Sequence, residues 1–258
     1  MLASKPVRVY TMGCFGVFKD NMPLTFSGRV QRKPLDLLRA VIAFGGRGVP
    51  TARLAQVLWP DTDGDMAKHA LETTLYRLRK LLGERCIEMN GCQLTLNPAH
   101  CWVDVWCLER LLEPEEDGMS PIQQAKELLK LYRGPFLDGD DTALVLVQRE
   151  RLHSKFLRVI GQLGQAAESQ DPQAAIECYQ KGIEVDPLAE DLYRRLMLCY
   201  RTANRHAEAL AVYQRCYRTL TTVLNIRPTA QTMALHREIQ QSGAMETMDE
   251  VRLRARVG

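Results

Sequence analysis

The sequence of 258 residues lacks the features that mark membrane proteins and secreted proteins. No apolar run reaches the roughly 18 residues that a membrane helix needs. The first six residues contain no apolar stretch of the kind found in a signal peptide. Hydrophobic residues make up 46% of the chain and charged residues 25%, which is typical of globular proteins. We therefore expect a cytoplasmic protein of about two domains that does not contact membranes.

Closely paired cysteines are also missing. The eight cysteines are scattered, and no Cys-x-x-Cys motif occurs among them. A zinc site could be imagined from Cys86, Cys92, His100 and Cys101. The spacing of these residues matches no common zinc module, so we favour reduced thiols that behave as small hydrophobic residues. The sequence predicts no metal ion and no cofactor.

Motifs of the common enzyme classes are absent as well. The chain has no Gly-x-Ser-x-Gly, no His-Glu-x-x-His and no phosphate-binding Gly-x-x-x-x-Gly-Lys-Ser/Thr sequence. Asp138, Asp140 and Asp141 are close together but lack the spacing of a calcium loop, so we expect them to cap or precede a helix. We predict no catalytic residues and a protein that is not an enzyme.

Positive charge is concentrated in the N-terminal part of the chain. Residues 1–100 contain 14 Lys and Arg against 8 Asp and Glu, a balance of +6. Residues 101–258 contain 20 against 23, a balance of −3. A polyanion is therefore the expected partner of the N-terminal part, and proteins are the expected partners of the C-terminal part.

One segment, residues 70–82, predicts a helix with two different faces. Leucines recur along it at the spacing of a buried stripe, at Leu71, Leu75, Leu78 and Leu82. The opposite face carries hydrogen-bond donors and positive charge, at His69, Thr73, Tyr76, Arg77 and Lys80. A recognition helix in the major groove of DNA needs such an apolar back and basic front. An ordinary solvated helix face is the alternative.

The neighbours of this helix predict a winged helix-turn-helix domain over residues 1–105. We expect short strands between residues 7 and 26, and helices over 34–44 and 52–58, the second capped by Thr51. Gly83 should end the two-faced helix. The Asn90-Gly91 pair within residues 87–96 predicts a two-residue hairpin, which would be the wing.

The pattern becomes helical after residue 105. A four-residue set recurs with an offset of 34 residues, the period of tetratricopeptide repeats: Ala175, Ile176, Tyr179 and Gln180 match Ala209, Leu210, Tyr213 and Gln214. We predict an all-α, tetratricopeptide-like helical-repeat domain over residues 106–241 and a disordered tail over residues 242–258. The predicted fold class is thus mainly α with a small β component.

Six segments carry a resemblance to a known family, which covers about nine-tenths of the chain. Residues 7–112 resemble the winged-helix domain of SARP-type and OmpR-type bacterial regulators in three segments: Leu71–Gly83, which contains the family's recurring Arg-Leu-Arg, Gln31–Leu38 and Leu54–Pro60. Residues 121–240 resemble the bacterial transcriptional activator domain of SARP-type regulators in three others: Leu131–Leu137, Gln148–Leu152 and Leu192–Met197.

The sequence departs from the family pattern in two places. The family's wing often carries basic residues before its hairpin glycine, but Glu88–Gly91 contains none. Large family members also join these two domains to an ATPase module, and the chain has neither the phosphate-binding motif of that module nor a receiver domain. Because the wing lacks these basic residues, the recognition helix should supply most of the specificity for DNA sequence.

The chemistry of the two-faced helix, together with the resemblance, predicts the DNA contacts. Arg77 can bind O6 and N7 of guanine through its guanidinium group, and Thr73 and Tyr76 are the other expected base contacts. The expected phosphate contacts are Thr51, Arg53, His69, Thr74 and Lys80. A further basic group is expected to contact phosphate or RNA polymerase, or to be solvated: Arg29, Arg32 and Lys33.

The sequence thus predicts a DNA-binding transcriptional regulator, and specifically an activator. Its expected partners are double-stranded DNA, RNA polymerase by resemblance, and a second copy of the chain. One alternative is a protein-interaction adaptor whose winged helix does not bind DNA. Another is the effector part of a larger ATPase-coupled regulator.

Overall fold

The computed structural model describes residues 5–24, 32–113 and 118–242. The strands in this part are β1 (Val7–Tyr10), β2 (Gly16–Lys19), β3 (Met22–Pro23), β4 (Val49–Pro50), β5 (Ile87–Asn90), β6 (Gln93–Leu96) and β7 (Cys101–Val103). The helices are α1 (Arg32–Ala43), α2 (Thr51–Leu58), α3 (Gly64–Leu82), α4 (Asp104–Leu111), α5 (Pro121–Leu131), α6 (Ala143–Ala167), α7 (Pro172–Val185), α8 (Glu190–Thr202), α9 (His206–Leu224) and α10 (230–242). The predicted fold class, mainly α with a small β component, is confirmed.

The chain divides into two compact units. The first contains Met1–Glu113 and Leu131–His153, and the second contains Pro114–Lys130 and Ser154–Gly258. The first unit therefore extends past the boundary predicted near residue 105 and includes α4 and the start of α6. Of the tail predicted over residues 242–258, residue 242 is the last residue of α10, and residues 243–258 lie outside the described residues.

Asp104, the first residue of α4, explains why this helix belongs to the first unit. Its buried side chain accepts hydrogen bonds from the N–H (2.7 Å) and the hydroxyl (2.6 Å) of Thr11, and from the N–H of Met12 (3.0 Å). Arg133 donates to the same carboxylate at 3.1 Å. The N–H of Leu137 donates to the carbonyl of Thr11, so residues 131–137 are also fixed to the end of β1. A buried carboxylate needs partners of this kind to offset its desolvation.

The described part of the first unit contains two small sheets. One has the order β3-β2-β1-β7, with β1 and β7 parallel. The other has the order β4-β6-β5. The predicted hairpin is confirmed, but Asn90 pairs with Gln93, so the two loop residues are Gly91 and Cys92 rather than Asn90 and Gly91. Gly91 has φ of 59°, which a glycine adopts without strain.

The helix ends of the first unit follow the prediction at Gly83 but not at Thr51. Gly83 ends α3 with φ of 112°. Thr51 was predicted to cap α2, but it is the first helical residue, and the cap position is taken by Pro50 without any side-chain cap. The reason is that β4 runs directly into α2. The N–H of Thr51 donates to the carbonyl of Cys92 in the wing turn at 2.9 Å.

Paired helices build the core of the second unit, as the 34-residue offset predicts. Helices α7 and α8 pack together, as do α8 and α9. The repeated alanine and tyrosine positions are all buried: Ala175, Tyr179, Ala209 and Tyr213. The described part contains no helix with both the length and the apolar character needed to cross a membrane.

Candidate nucleic-acid interface

Helix α3 is held by its leucine stripe. Leu71, Leu75, Leu78 and Leu82 are at most 5% exposed, as predicted. They pack where α3 meets α1 and α2. Asp63 caps the start of the helix by accepting a hydrogen bond from the N–H of Gly64 at 2.7 Å. Burial of four leucines holds the helix firmly enough to present its opposite side to a ligand.

That opposite side brings together five of the predicted contact residues. We call this surface the basic face: His69, Thr73, Tyr76, Arg77 and Lys80, all of them exposed. It extends over twelve residues, from His69 to Lys80, or roughly 16 Å along the helix. Lys80 places Nζ 4.7 Å from the centre of the Tyr76 ring, and Tyr76 is 58% exposed. Glu72 lies 4.0 Å from the His69 ring nitrogen and places a negative charge beside that end of the face.

Thr74 does not belong to this surface, and its predicted phosphate contact is wrong. The side chain is only 5% exposed. It follows Leu71 by three positions and precedes Leu78 by four, so it lies on the buried side of α3. A buried hydroxyl cannot reach a phosphate.

Arg79 has a structural role that its sequence position left open. It is half-buried, and its Nε and one terminal nitrogen both lie 3.3 Å from the carbonyl oxygen of Ile87, the first residue of β5. Its guanidinium therefore connects the last turn of α3 to β5, the first strand of the hairpin.

The predicted phosphate site at the start of α2 receives little support. The N–H of Thr51 is already used by the wing turn, so this amide is not free for a phosphate. Arg53 is exposed but lines a cavity of about 270 Å³ together with Phe44, Glu109 and Arg151. The structure therefore does not group Arg53 with the basic face.

The basic residues before α1 are only partly available. Lys33 donates from Nζ to the carbonyl of Leu58, the last residue of α2, at 3.0 Å, and lies 5.3 Å from the centre of the Trp59 ring. Lys33 thus satisfies the end of α2. Arg32 is exposed at the edge of a cavity of about 590 Å³ whose other lining includes Asp138 and Asp140. Arg29 lies outside the described residues.

The wing carries no cation at its tip. Gly91 and Cys92 form the loop, and Met89 is 43% exposed. Glu88 accepts a hydrogen bond from the side-chain amide of Asn97 at 2.6 Å. One exposed cation near the wing was missed from the sequence: Arg85, in the 3-10 turn Glu84–Cys86 between α3 and β5. Its place two residues after the helix-ending Gly83 is the signal that could have identified it.

A zinc site is not supported by the positions of its proposed ligands. Cys92 is exposed at the tip of the wing, whereas Cys86 and Cys101 are buried. Within residues 5–24, 32–113 and 118–242, no three histidine, cysteine or acidic side chains come together as a metal ion would require.

Comparison with known proteins decides the family. Residues 103–240 match the sequence model of the family described as bacterial transcriptional activator domain. This match covers more than half of the chain. The chain belongs to this family. The predicted resemblance to SARP-type regulators is thereby confirmed.

Three curated relatives of this family member are named as regulators. The chain is 26% identical to the regulatory protein AfsR of Streptomyces coelicolor over 93% of its own length and 25% of that protein's. It is 28% identical to the transcriptional regulator RedD of the same organism, over 82% of its own length and 65% of the length of RedD. It is 23% identical to the transcriptional regulatory protein MoaR1 of Mycobacterium tuberculosis, over 88% of its own length and 79% of the length of MoaR1. The chain thus spans only a quarter of the length of AfsR.

A solved structure shares the fold. EmbR of Mycobacterium tuberculosis, determined in complex with a low-affinity phosphopeptide, aligns with a TM-score of 0.63 at 20% identity. The alignment covers 93% of this chain and 66% of the EmbR chain. It supports the architecture of a winged helix followed by a helical activator domain.

Proposed function

We propose that the chain is a sequence-specific DNA-binding transcriptional regulator, and an activator, that inserts α3 into the major groove. The observation that carries this proposal is the basic face on a helix whose other side is fixed by four buried leucines. A major groove about 12 Å wide admits a helix of this kind. The family membership and the regulator names of its relatives agree with this role.

Each residue of the basic face has a role in this proposal. Arg77 binds a guanine through two hydrogen bonds, Thr73 contacts a thymine methyl group or donates a hydrogen bond, and Tyr76 reaches a base or a phosphate. His69 and Lys80, at opposite ends of the face, contact phosphates. The wing has little positive charge to contribute, and Arg85 at its base is the cation placed to assist.

Selection from a pool of random double-stranded DNA by the purified chain tests the proposal. We expect one enriched motif, bound more tightly than a scrambled sequence, with affinity that falls between roughly 50 and 200 mM salt. A variant with Thr73, Tyr76 and Arg77 all changed to Ala should lose the preference. The control variant, with Arg218→Ala and Arg237→Ala, removes two exposed arginines of the second unit, which contact only carbonyls of their own helices at 3.4 Å in the described part. It should retain the preference.

The helical repeats are proposed to contact proteins, with RNA polymerase as the main candidate and a second copy of the chain as the other. Exposed apolar residues at the C-terminal end of α9 and just after it favour such a role: Val223 (61%), Leu224 (47%) and Ile226 (50%). The second unit contains 16 Lys and Arg against 16 Asp and Glu, so it has no net positive charge that would attract DNA. Transcription in vitro with purified polymerase tests activation, and sedimentation of the chain alone tests self-association.

The adaptor function remains the second candidate, because the wing tip is uncharged and the apolar residues of α9 are exposed. The two functions give different results in the DNA selection. An adaptor would yield no enriched motif and no salt-dependent affinity, while still binding its protein partner.

A further inference from the structure

Two cysteines lie at the base of the wing and have no part in the proposed DNA contacts. Cys86 lies in the 3-10 turn that joins α3 to β5, and Cys101 is the first residue of β7. They are 3% and 2% exposed. The backbone of Asn97 holds them close together: its N–H donates to the carbonyl of Cys86 at 2.9 Å, and its carbonyl accepts from the N–H of Cys101 at 2.8 Å.

The side chain of Cys101 also lies against the backbone of Cys86. Sγ of Cys101 lies 3.5 Å from the carbonyl oxygen of Cys86. Sγ of Cys86 lies 3.4 Å from the carbonyl oxygen of Leu82. A disulfide requires two cysteines whose backbones lie close together, and the hydrogen bonds through Asn97 hold this pair in that way.

The surroundings distinguish the two sulfurs chemically. A side-chain hydrogen bond with Cys101 lowers the pKa of the Cys86 thiol, with a smaller contribution from the Lys19 ammonium, against the opposing effects of burial and of Asp20. Lys19 is held nearby, with Nζ 3.5 Å from the carbonyl of Leu81. The same hydrogen bond, together with burial, raises the pKa of the Cys101 thiol. Because a thiolate is the reactive form, Cys86 is the sulfur that attacks an oxidant.

We propose that Cys86 and Cys101 are a reversible oxidation site, at which a peroxide converts the two thiols into a disulfide that links the base of the wing to β7. The Cys86 thiolate attacks one peroxide oxygen, the O–O bond breaks, and a sulfenic acid forms while hydroxide leaves and is protonated to water. The Cys101 sulfur then attacks the Cys86 sulfur, its proton joins the departing hydroxyl, and a second water leaves. Both sulfurs are oxidised, and both peroxide oxygens are reduced.

Peptide mapping of the whole chain tests this site. The reduced protein is treated with hydrogen peroxide, its remaining thiols are alkylated, and it is cut after glutamate, which separates Cys86 in residues 85–88 from Cys101 in residues 89–109. We expect these two peptides to be joined, an intact mass lower by about 2 Da for the two hydrogens lost, and reversal by dithiothreitol. The variants Cys14→Ser and Cys92→Ser, which remove exposed thiols, should still form the link.

Two further variants separate chemistry from misfolding. Cys101→Ser should abolish the link and leave a sulfenic acid on Cys86 that dimedone traps, in a protein whose circular dichroism matches that of the wild type. Cys101→Ala serves the same purpose if the serine variant does not fold. The proposal is overturned if Cys86 and Cys101 stay alkylatable in the unfolded wild-type protein after the exposed Cys14 and Cys92 have been oxidised.

Discussion

Arg77 and Arg79 lie two positions apart on α3, and we expect their removal to have opposite consequences. Arg77 is exposed, and in the described part of the chain it makes no hydrogen bond or ion pair. Arg77→Ala should therefore change the free energy of unfolding by less than about 0.5 kcal/mol. Loss of a two-bond contact to guanine should cost roughly 1–3 kcal/mol of binding, which corresponds to about a 5- to 150-fold rise in Kd.

Arg79→Ala should act on the fold instead. The substitution removes a charged donor from the carbonyl of Ile87, which two nitrogens approach at 3.3 Å, and removes a half-buried side chain. Because these contacts are long, we expect a loss of about 1–2 kcal/mol in the free energy of unfolding. Binding should weaken less than with Arg77→Ala, and equally for the selected and scrambled sequences.

Urea unfolding and fluorescence anisotropy with the selected DNA measure the two quantities. The ratio of affinities for selected and scrambled sequences is the decisive number, since it should fall for Arg77→Ala and stay constant for Arg79→Ala. If Arg77→Ala bound its best site as tightly as the wild type, the assignment of the recognition face would be wrong. If Arg79→Ala were fully stable, the tie between α3 and the wing would contribute nothing.

Three further results are expected. Asp104→Ala should lower the free energy of unfolding by about 3–5 kcal/mol in urea titration, because the buried donors of Thr11 and Met12 would lose their acceptor. Gly164→Ala should cost about 1–2 kcal/mol, since a Cβ there would lie 2.7 Å from the buried ring of Tyr179, and this clash outweighs the gain in helix propensity. Lys80→Ala should weaken binding to all DNA sequences alike and reduce the slope of log K against log salt by roughly 0.9.

Matched substitutions serve as controls for these results. Asp36→Ala removes a partly exposed carboxylate paired with Arg39 at 3.1 Å and should cost less than about 1 kcal/mol. Gly64→Ala meets nothing within 4 Å and should be neutral or slightly stabilising. If Asp104→Ala left the free energy of unfolding unchanged, the hydrogen bonds of Asp104 would not be what holds α4 to β1. An unchanged salt slope for Lys80→Ala would remove this residue from the phosphate contacts.

Local signals in the sequence predicted most of the elements that form the candidate site. The leucine spacing and Gly83 located α3, and Asn90-Gly91 located the hairpin, because helical period and glycine backbone freedom act within a few residues. The 34-residue offset identified the helical repeats for the same reason. Those signals do not report what a polar side chain meets in the folded protein. Thr74 was therefore placed on the wrong side of α3, and the capping of α2 was assigned to Thr51 instead of Pro50.

The sequence by itself thus determined that the chain has a helix with a buried stripe and a basic front, followed by a hairpin and a repeat of helices, since each depends on neighbours in the chain. Only the tertiary structure decided which cations are free. Lys33 donates a hydrogen bond to the end of α2, and Arg79 donates one to β5. In the same way, the carboxylate of Asp104 accepts hydrogen bonds from donors at the end of β1, about 90 residues earlier in the chain. These partners are brought together by packing between segments that are distant in the sequence. A carbonyl or amide group that takes part in such a hydrogen bond cannot be recognised from the sequence pattern.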